Sequence, residues 1–498
     1  MSDEHPHNTG IIFAALTLVL LLATLDQTIV ATALPTIVDN LGGLDHLSWV
    51  AAAYLLASMV VGPIYGKLGD LYGRKITLQA AICLFLLGSA LCGISHSMLE
   101  LVLFRALQGA GGGGLVVTVM AVIGDLVPAR DRGKYQGFFG VVIGVSTVAG
   151  PLLGGYFVEH LSWRWIFYIN LPLGLVALSV IAIAFKTPVT RRELSVDYLG
   201  ALLLTAMLTC VMLLADPGGA TLAATSSQTF GLIVLTLGLL IAFIVVERRA
   251  PEPIVPLKLF RNPIFAVCCS MSLVVGVAMF GAVTFLPLYM QVVKGMSPSL
   301  SGLQLIPMTG GMIVASAVSG VMISRFGFYK IFPIIGLFLV SGAYWMLFNN
   351  LADAGKLAVS IYLLTLGFGL GLTMQVLVLA AQNAVPQEEL GVATSGIVLF
   401  RSLGGSLGVS AFGTIFTNGL QSALEQLAPH GLSYAVATNI GQLRSLPESQ
   451  LSLYIAAYVS ALKPLFLVAG IFSAAGFVLA LLLREKPLPT TLVSRAES

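Results

Sequence analysis

The sequence predicts an all-α integral membrane protein with fourteen transmembrane helices. These would form two six-helix pseudo-symmetric bundles plus two linking helices, with both termini in the cytoplasm. Three observations predict it. Hydrophobic residues make up 57% of the 498 and charged residues only 9%, against about 25% charged in an average soluble domain, which leaves too little charge to coat a water-facing surface. Fourteen apolar runs come close to the ~20 residues that a helix needs to cross a hydrocarbon core of about 30 Å. The bases collect in alternate connections, as the positive-inside rule requires of a multi-spanning chain.

In chain order the predicted spans are 11–36, 47–66, 76–95, 100–123, 136–158, 165–185, 198–215, 229–247, 264–290, 301–323, 331–349, 357–381, 391–417 and 456–483. The runs are too long for barrel strands, which alternate over about 10 residues. The N-terminus MSDEHPHNTG lacks a basic region, and its first apolar run is too long for a cleavable signal peptide. With both ends inside, 18 of the 25 Lys and Arg fall in cytoplasmic segments, Lys186, Arg191, Arg192 and Arg495 among them, and 5, including Arg444, fall outside. The predicted organisation is a cytoplasmic N-terminus (1–10), a six-helix bundle (11–185), two linking helices with their loops (186–263), a second six-helix bundle (264–483) and a cytoplasmic tail (484–498).

An internal repeat supports two halves. GKLGDLYGRK (Gly66 to Lys75) follows span 2, and GVMISRFGFYK (Gly320 to Lys330) follows span 10. Each opens on Gly, has Gly again seven residues on and ends in a base; Ser324 stands where the first copy has Asp70. Repeated helical halves are typical of secondary transporters.

Composition also excludes chemistry. A net charge of +3 is too small and scattered for a nucleic-acid footprint. The five cysteines have no metal spacing and the six histidines lie in polar connections or termini, so neither a metal nor another cofactor is expected. GAGGGG (Gly109 to Gly114) lacks the Lys-Ser/Thr of a phosphate loop and lies in an apolar span, so it reads as close helix packing. Without an ATPase motif, an ion gradient is the expected driver. A membrane potential of 100 mV supplies roughly 2.3 kcal/mol per charge moved, equivalent to about a fifty-fold gradient.

One acid lies deep in an apolar span. Asp26 is roughly 22 Å along span 1 at about 1.5 Å per residue. A carboxylate there costs several kcal/mol unless it is protonated, hydrated or paired, so it is either a proton carrier or half of a structural ion pair. Arg105 and Arg401 also lie inside spans and need an acid, carbonyls or water. Snorkelling to the helix end is the alternative for Arg105.

At these residues the sequence resembles the major facilitator superfamily, specifically its fourteen-helix drug:proton antiporter branch, over essentially the whole chain. GKLGDLYGRK resembles the superfamily's loop after helix 2, and LDQTIVATALPTI (Leu25 to Ile37) the branch's helix-1 signature. RALQG (Arg105 to Gly109) resembles the helix-4 arginine motif, GVSTVAGPLLGG (Gly144 to Gly155) the helix-5 exporter motif, and WRWIFYINLPLG (Trp163 to Gly174) the start of helix 6. The resemblance implies proton coupling by Asp26 with Arg105. It also implies a cytoplasmic gate of Gly66, Asp70, Gly73, Arg74, Asp125 and Arg132, with Asp70 aimed at the N-terminus of span 13. Plain positive-inside topology would explain the bases of this loop, though not its acid. In helix 5, Gly144, Gly150, Pro151, Gly154 and Gly155 would bias alternating access, or serve packing alone. The second loop has lost its acid at Ser324, which implies an asymmetric gate. No acid lies deep in spans 9–14, which argues against strong handling of divalent cations.

The expected function is proton-coupled export of lipophilic, often cationic, small molecules by alternating access, through a bacterial cytoplasmic membrane and with antibiotic resistance as its outcome. The expected partners are the substrate, protons and the lipid bilayer, with the protein acting as a monomer. The alternative is export of one endogenous compound such as a lipid, antibiotic or siderophore. Asp26, Gln108, Phe280, Tyr344, Gln375 and Arg401, with Gln382, are the expected cavity residues, the aromatics to meet a cation and the amides to hydrogen-bond. With Asp26 as the lone deep acid, proton and substrate would compete for one site. A lipid-directed enzyme would need clustered nucleophiles or acid–base pairs in the membrane, and a channel a ring-forming filter motif. Neither is found in the sequence.

Overall fold

Fourteen helical segments follow the apolar runs in the computed structural model, which describes residues 6–41, 47–185, 197–215, 227–251, 253–296, 298–426 and 447–488. They are α1 (Pro6–Leu41), α2 (Leu47–Tyr72), α3 (Arg74–Ile94), α4 (Met98–Leu126) and α5 (Ala129–His160). Trp165–Tyr168 and Asn170–Ala184 together make α6. Then come α7 (Tyr198–Ala215), α8 (Ser227–Arg249), α9 (Pro263–Val292), α10 (Ile306–Phe326), α11 (Ile331–Asn350), α12 (Lys356–Ala384), α13 (Leu390–Gln426) and α14 (Glu448–Leu482). Thirteen helices among the described residues are long and apolar enough to cross a membrane, while in α7 the apolar stretch is the shorter Tyr198–Val211. Lys186, Arg191, Arg192, Arg444 and Arg495 lie outside the described residues.

Several helices overrun the predicted spans. α5 starts at Ala129 rather than near 136, and α13 and α14 reach Gln426 and Glu448, well into the predicted outer segment 418–455. Hydropathy locates only the apolar stretch; a helix continues into water while its end is favourable, as at Asp131 in the first turn of α5.

The helices gather into two groups, α1–α6 and α9–α14. Between the groups, α2 packs on α13 and α5 on α10. Helix α7 bridges them, with Leu204 and Leu208 packed against Met59 and Val60 of α2 and Leu399 of α13, and α8 lies outside it.

The repeated loops occupy matching places. A Cβ on Gly66 would lie 2.6 Å from the Gly391 carbonyl of α13, and one on Gly320 would strike the Gly133 carbonyl of α5. Both are helix crossings that only glycine admits. The second glycine of each copy, Gly73 (φ +92°) and Gly327 (φ +81°), makes the left-handed turn into the next helix. The GAGGGG run has the same purpose: Gly109 and Gly113 face the backbone of Tyr54 and Ser58 on α2, and Gly111 that of Phe85 on α3.

A bulkier residue at such a crossing costs about 1–3 kcal/mol, roughly five- to 150-fold in the population of the closed crossing, and leucine at a 2.6 Å approach falls toward the upper end. Gly66→Leu is therefore expected to cut transport by at least tenfold in vesicles while membrane insertion persists. Transport at the wild-type rate would show that this crossing is dispensable.

Candidate functional site

Burial obliges Asp26 to find its partners inside the protein, and it finds three. Arg105 on α4 donates from Nη1 to Asp26 Oδ2 at 2.6 Å. Gln108, one turn along the same face of α4, donates to Oδ1 at 2.8 Å. Asn170 on α6 donates to the same Oδ1 at 3.0 Å. Asp26 is 0% exposed and Arg105 2%.

The arginine is matched in its turn. It donates to Gln108 Oε1 at 2.8 Å and the Val50 carbonyl at 3.2 Å, and its guanidinium lies 4.3 Å from the centre of the Tyr54 ring. Ser89 on α3 closes the network, accepting from Gln108 at 3.1 Å and Asn170 at 2.9 Å while donating to the Phe167 carbonyl. Three helices meet on one carboxylate that only donors face, with α3 bracing the amides behind it, an arrangement complementary to its charged form. The amide oxygen of Asn170 has no hydrogen-bond partner among the described residues.

Beside this network lies a cavity of about 430 Å³ between the two helix groups, within the size range of small-molecule sites. Thr24 and Gln27 of α1, Trp49 and Met59 of α2, Phe280 of α9 and Arg401 of α13 are among its lining residues. Asp26 and Gln108 lie behind that wall rather than in it. This corrects the expectation that they contact substrate directly: their side chains turn into the α1–α3–α4–α6 packing, where the donors are.

Other expected cavity residues are also placed elsewhere. Tyr344 is buried against Phe466 and donates to the Ala278 carbonyl, so it holds α11 to α9. Gln375 is buried beside a small void that Gly133 and Gly320 also line, with no partner for either amide atom among the described residues. Gln382 accepts from Gln136 of α5 at 2.9 Å and donates to the Met120 carbonyl of α4 at 3.1 Å and to Thr394 of α13 at 2.8 Å, which ties the groups together.

At the end bearing the basic loops the groups are clasped. Asp70 accepts from the backbone N–H of Gly391 and Val392, each at 3.1 Å, at the N-terminus of α13. Arg74 bridges Asp70 and Asp125, the latter at 2.7 Å. Arg132 lies within electrostatic reach of Asp125 but makes no ion pair with these acids among the described residues, donating instead to the Val127 carbonyl at 2.9 Å. A second clasp, which the sequence did not suggest, lies at Ser324. Arg130 donates to the Ser324 and Arg325 carbonyls at 3.0 and 2.8 Å, and Ser324 donates to Asp131 at 2.8 Å. In the helix-5 motif Gly144 meets Ile313 of α10 and Gly150 meets Thr28 of α1, while Gly154 is buried and Gly155 faces open space. The helix runs on through residue 151, where the Pro151 side chain lies outside the described residues.

Residues 16–409 match the family described as Major Facilitator Superfamily. The chain belongs to the major facilitator superfamily. It is 43% identical over 484 residues to an uncharacterized MFS-type transporter of Mycobacterium tuberculosis, covering 97% of this chain and 70% of that one. It is 38% identical over 451 residues to the multidrug transporter protein MdtP of Bacillus subtilis, covering 89% and 82%. The human organic anion transporter MFSD10 shares the fold at 14% identity with a TM-score of 0.65, over 95% of this chain and 99% of that one. The proton:xylose symporter XylE does so at 14% with 0.64, over 96% and 97%. This superfamily member is thus a multi-pass membrane transporter whose relatives include proteins named as multidrug transporters and efflux pumps.

Asn170 and Ser89 were missed because each is a single small polar residue in an apolar run. Their one signal was polarity within spans that a buried carboxylate would need as neighbours. Removing one partner of a buried ion pair costs about 3–5 kcal/mol, because the other stays charged and unmatched. Arg105→Met is expected to lower unfolding stability in detergent by that amount, and adding Asp26→Asn to recover at least half. Additive losses would mean that the two side chains are not coupled.

Proposed function

We propose that the protein exports lipophilic small molecules in exchange for protons, by alternating access, across the cytoplasmic membrane of a bacterium and as a monomer, with its basic loops inside. The observation that carries this reading is the ion pair of Asp26 and Arg105, wholly buried one residue from the cavity wall at Gln27. A proton reaching Asp26 removes the charge that Arg105 answers. Arg105 is then left with Gln108, the Val50 carbonyl and the Tyr54 ring. The hold between α1 and α4 weakens, and α1 carries Thr24 and Gln27 into the cavity wall. Proton and substrate therefore sense each other through α1, not by contending for the same atoms. That replaces the simple competition expected of a lone acid.

Supporting the direction of access, the clasps of Asp70 and Arg130 close the basic end, while the cavity lies on the other side of them. This arrangement suits an outward-facing conformation. Opening inward means parting Asp70 from the α13 N-terminus, where a carboxylate meets the positive end of the helix dipole.

Asp26→Asn is expected to abolish export driven by a pH gradient in inverted vesicles while substrate binding persists; export at the wild-type rate would remove Asp26 from the coupling role. Asp70→Asn weakens charge-assisted hydrogen bonds worth about 1.5–3 kcal/mol, so turnover is expected to fall roughly tenfold or more with binding kept. Unchanged turnover, measured as the single-cycle rate in the same vesicles, would sink the gating role.

A further inference from the structure

The cavity wall holds one ionisable side chain among the described residues, and it is a base. Of the residues that line the cavity, only Arg401 carries charge, and no Asp or Glu lies among them. Arg401 sits eleven residues into α13, about 16 Å from the clasped end and close to mid-membrane. It forms no ion pair with any acid among the described residues. Its Nη1 is buried without a hydrogen-bond acceptor among the described residues. Arg105 on α4 is the contrast, since carboxylate, amide and carbonyl oxygens all answer it.

A guanidinium keeps its proton throughout the physiological range, so the mismatch is not relieved by titration. Nor do the described residues of the cavity wall supply the counter-charge; its other polar groups are hydroxyls such as Ser58, Thr209, Ser402 and Ser406 and the amide of Gln27. Most of the remaining wall is aliphatic, aromatic or thioether, with Met59, Met279 and Met374 able to adapt to different shapes. An apolar chamber with one unmatched cation at mid-depth is the complement of an amphiphilic acid.

We propose that Arg401 anchors the acidic group of the substrate and that the transported class is amphiphilic organic anions, each an apolar body bearing one carboxylate or sulfonate. This rests on the export reading and narrows it, away from lipophilic cations. The planar fork of Arg401 takes two oxygens of the acid, the neighbouring hydroxyls donate to what remains, and Phe280 and Trp49 pack against the apolar body. Because an anion leaves as a proton enters, a one-for-one cycle moves two charges in the same electrical sense. A lipophilic cation exchanged one-for-one would move none.

The test uses three probes with one dansyl-labelled eleven-carbon chain, ending in a carboxylate, a primary amide or a trimethylammonium group. Affinities are measured by fluorescence on the full-length protein in detergent, and export in proteoliposomes. The carboxylate is expected to bind about tenfold or more tightly than the other two, the worth of a charge-assisted hydrogen bond. Arg401→Gln should bring the carboxylate down to the amide's affinity, and Arg401→Lys should keep part of the preference, which a purely structural arginine would not do. Export of the carboxylate should respond to membrane potential with no pH gradient, with a driving force of about fifty-fold for each charge moved across 100 mV. Equal or tighter binding of the ammonium probe by the wild type would overturn the proposal, whether or not either variant folds. A carboxylate preference that survives Arg401→Gln would overturn it too. The export reading fails separately: preferred binding of the carboxylate with no proton-driven export of any probe would retain the anion site and discard the antiporter. Export of the amide alone, without carboxylate preference, would do the reverse.

Discussion

A charge removed from water must be answered by another charge or by hydrogen bonds, and within a bilayer the answer has to come from the protein itself. Asp26 brings that requirement into the middle of α1. Arg105 and Gln108 from α4, and Asn170 from α6, satisfy it, and Ser89 of α3 locks the two amides in place. The first helix group is packed so that these side chains meet. Gly109 and Gly113 let α4 lie against the backbone of α2, and Gly88 lets α3 close on α4 at Gln108. Glycines at a crossing and a polar cluster behind it are two parts of one arrangement, since the hydrogen bonds require backbones that come close together.

The same requirement governs how the two groups of helices hold each other. At the basic end the available countercharges are helix termini. An acid, Asp70, meets the amino end of α13, and a base, Arg130, meets the carboxyl end of α10. These contacts occupy related places in the repeat, yet their polarity is reversed. The loss of an acid at Ser324 thereby acquires a physical sense. Where the first loop offers a carboxylate to an N-terminus, the second offers carbonyls to an arginine, and Ser324 keeps a hydrogen bond to Asp131. Gln382 and Gln136 add a neutral tie deeper between the groups.

The cavity shows the rule from its other side. Its wall is mostly apolar, and among the described residues its one cation, Arg401, lacks an acceptor for a buried nitrogen. A side chain left unmatched in a cavity wall differs in kind from the satisfied pair behind that wall. In the proposed cycle the first, which lines the cavity, receives the substrate and the second receives the proton. Under that proposal, keeping the two apart couples two events without forcing them onto one atom.

Composition and run length alone determined that the chain crosses a membrane many times as helices, because hydrophobic excess and span length are local properties of the sequence. They also singled out Asp26, since one acid in a long apolar run is conspicuous without any knowledge of neighbours. Which side chains answer it was not legible. Asn170 and Ser89 are small and polar, and their value lies in a meeting point of α1, α3, α4 and α6 that no spacing encodes. For the same reason Tyr344, Gln375 and Gln382 read as cavity residues and proved to lie in packing or in ties between the groups. Periodicity gives depth along a helix, but the direction in which a side chain points depends on how neighbouring helices rotate and pack. That rotation, decided only by the tertiary structure, put Asp26 behind the wall and Arg401 in it.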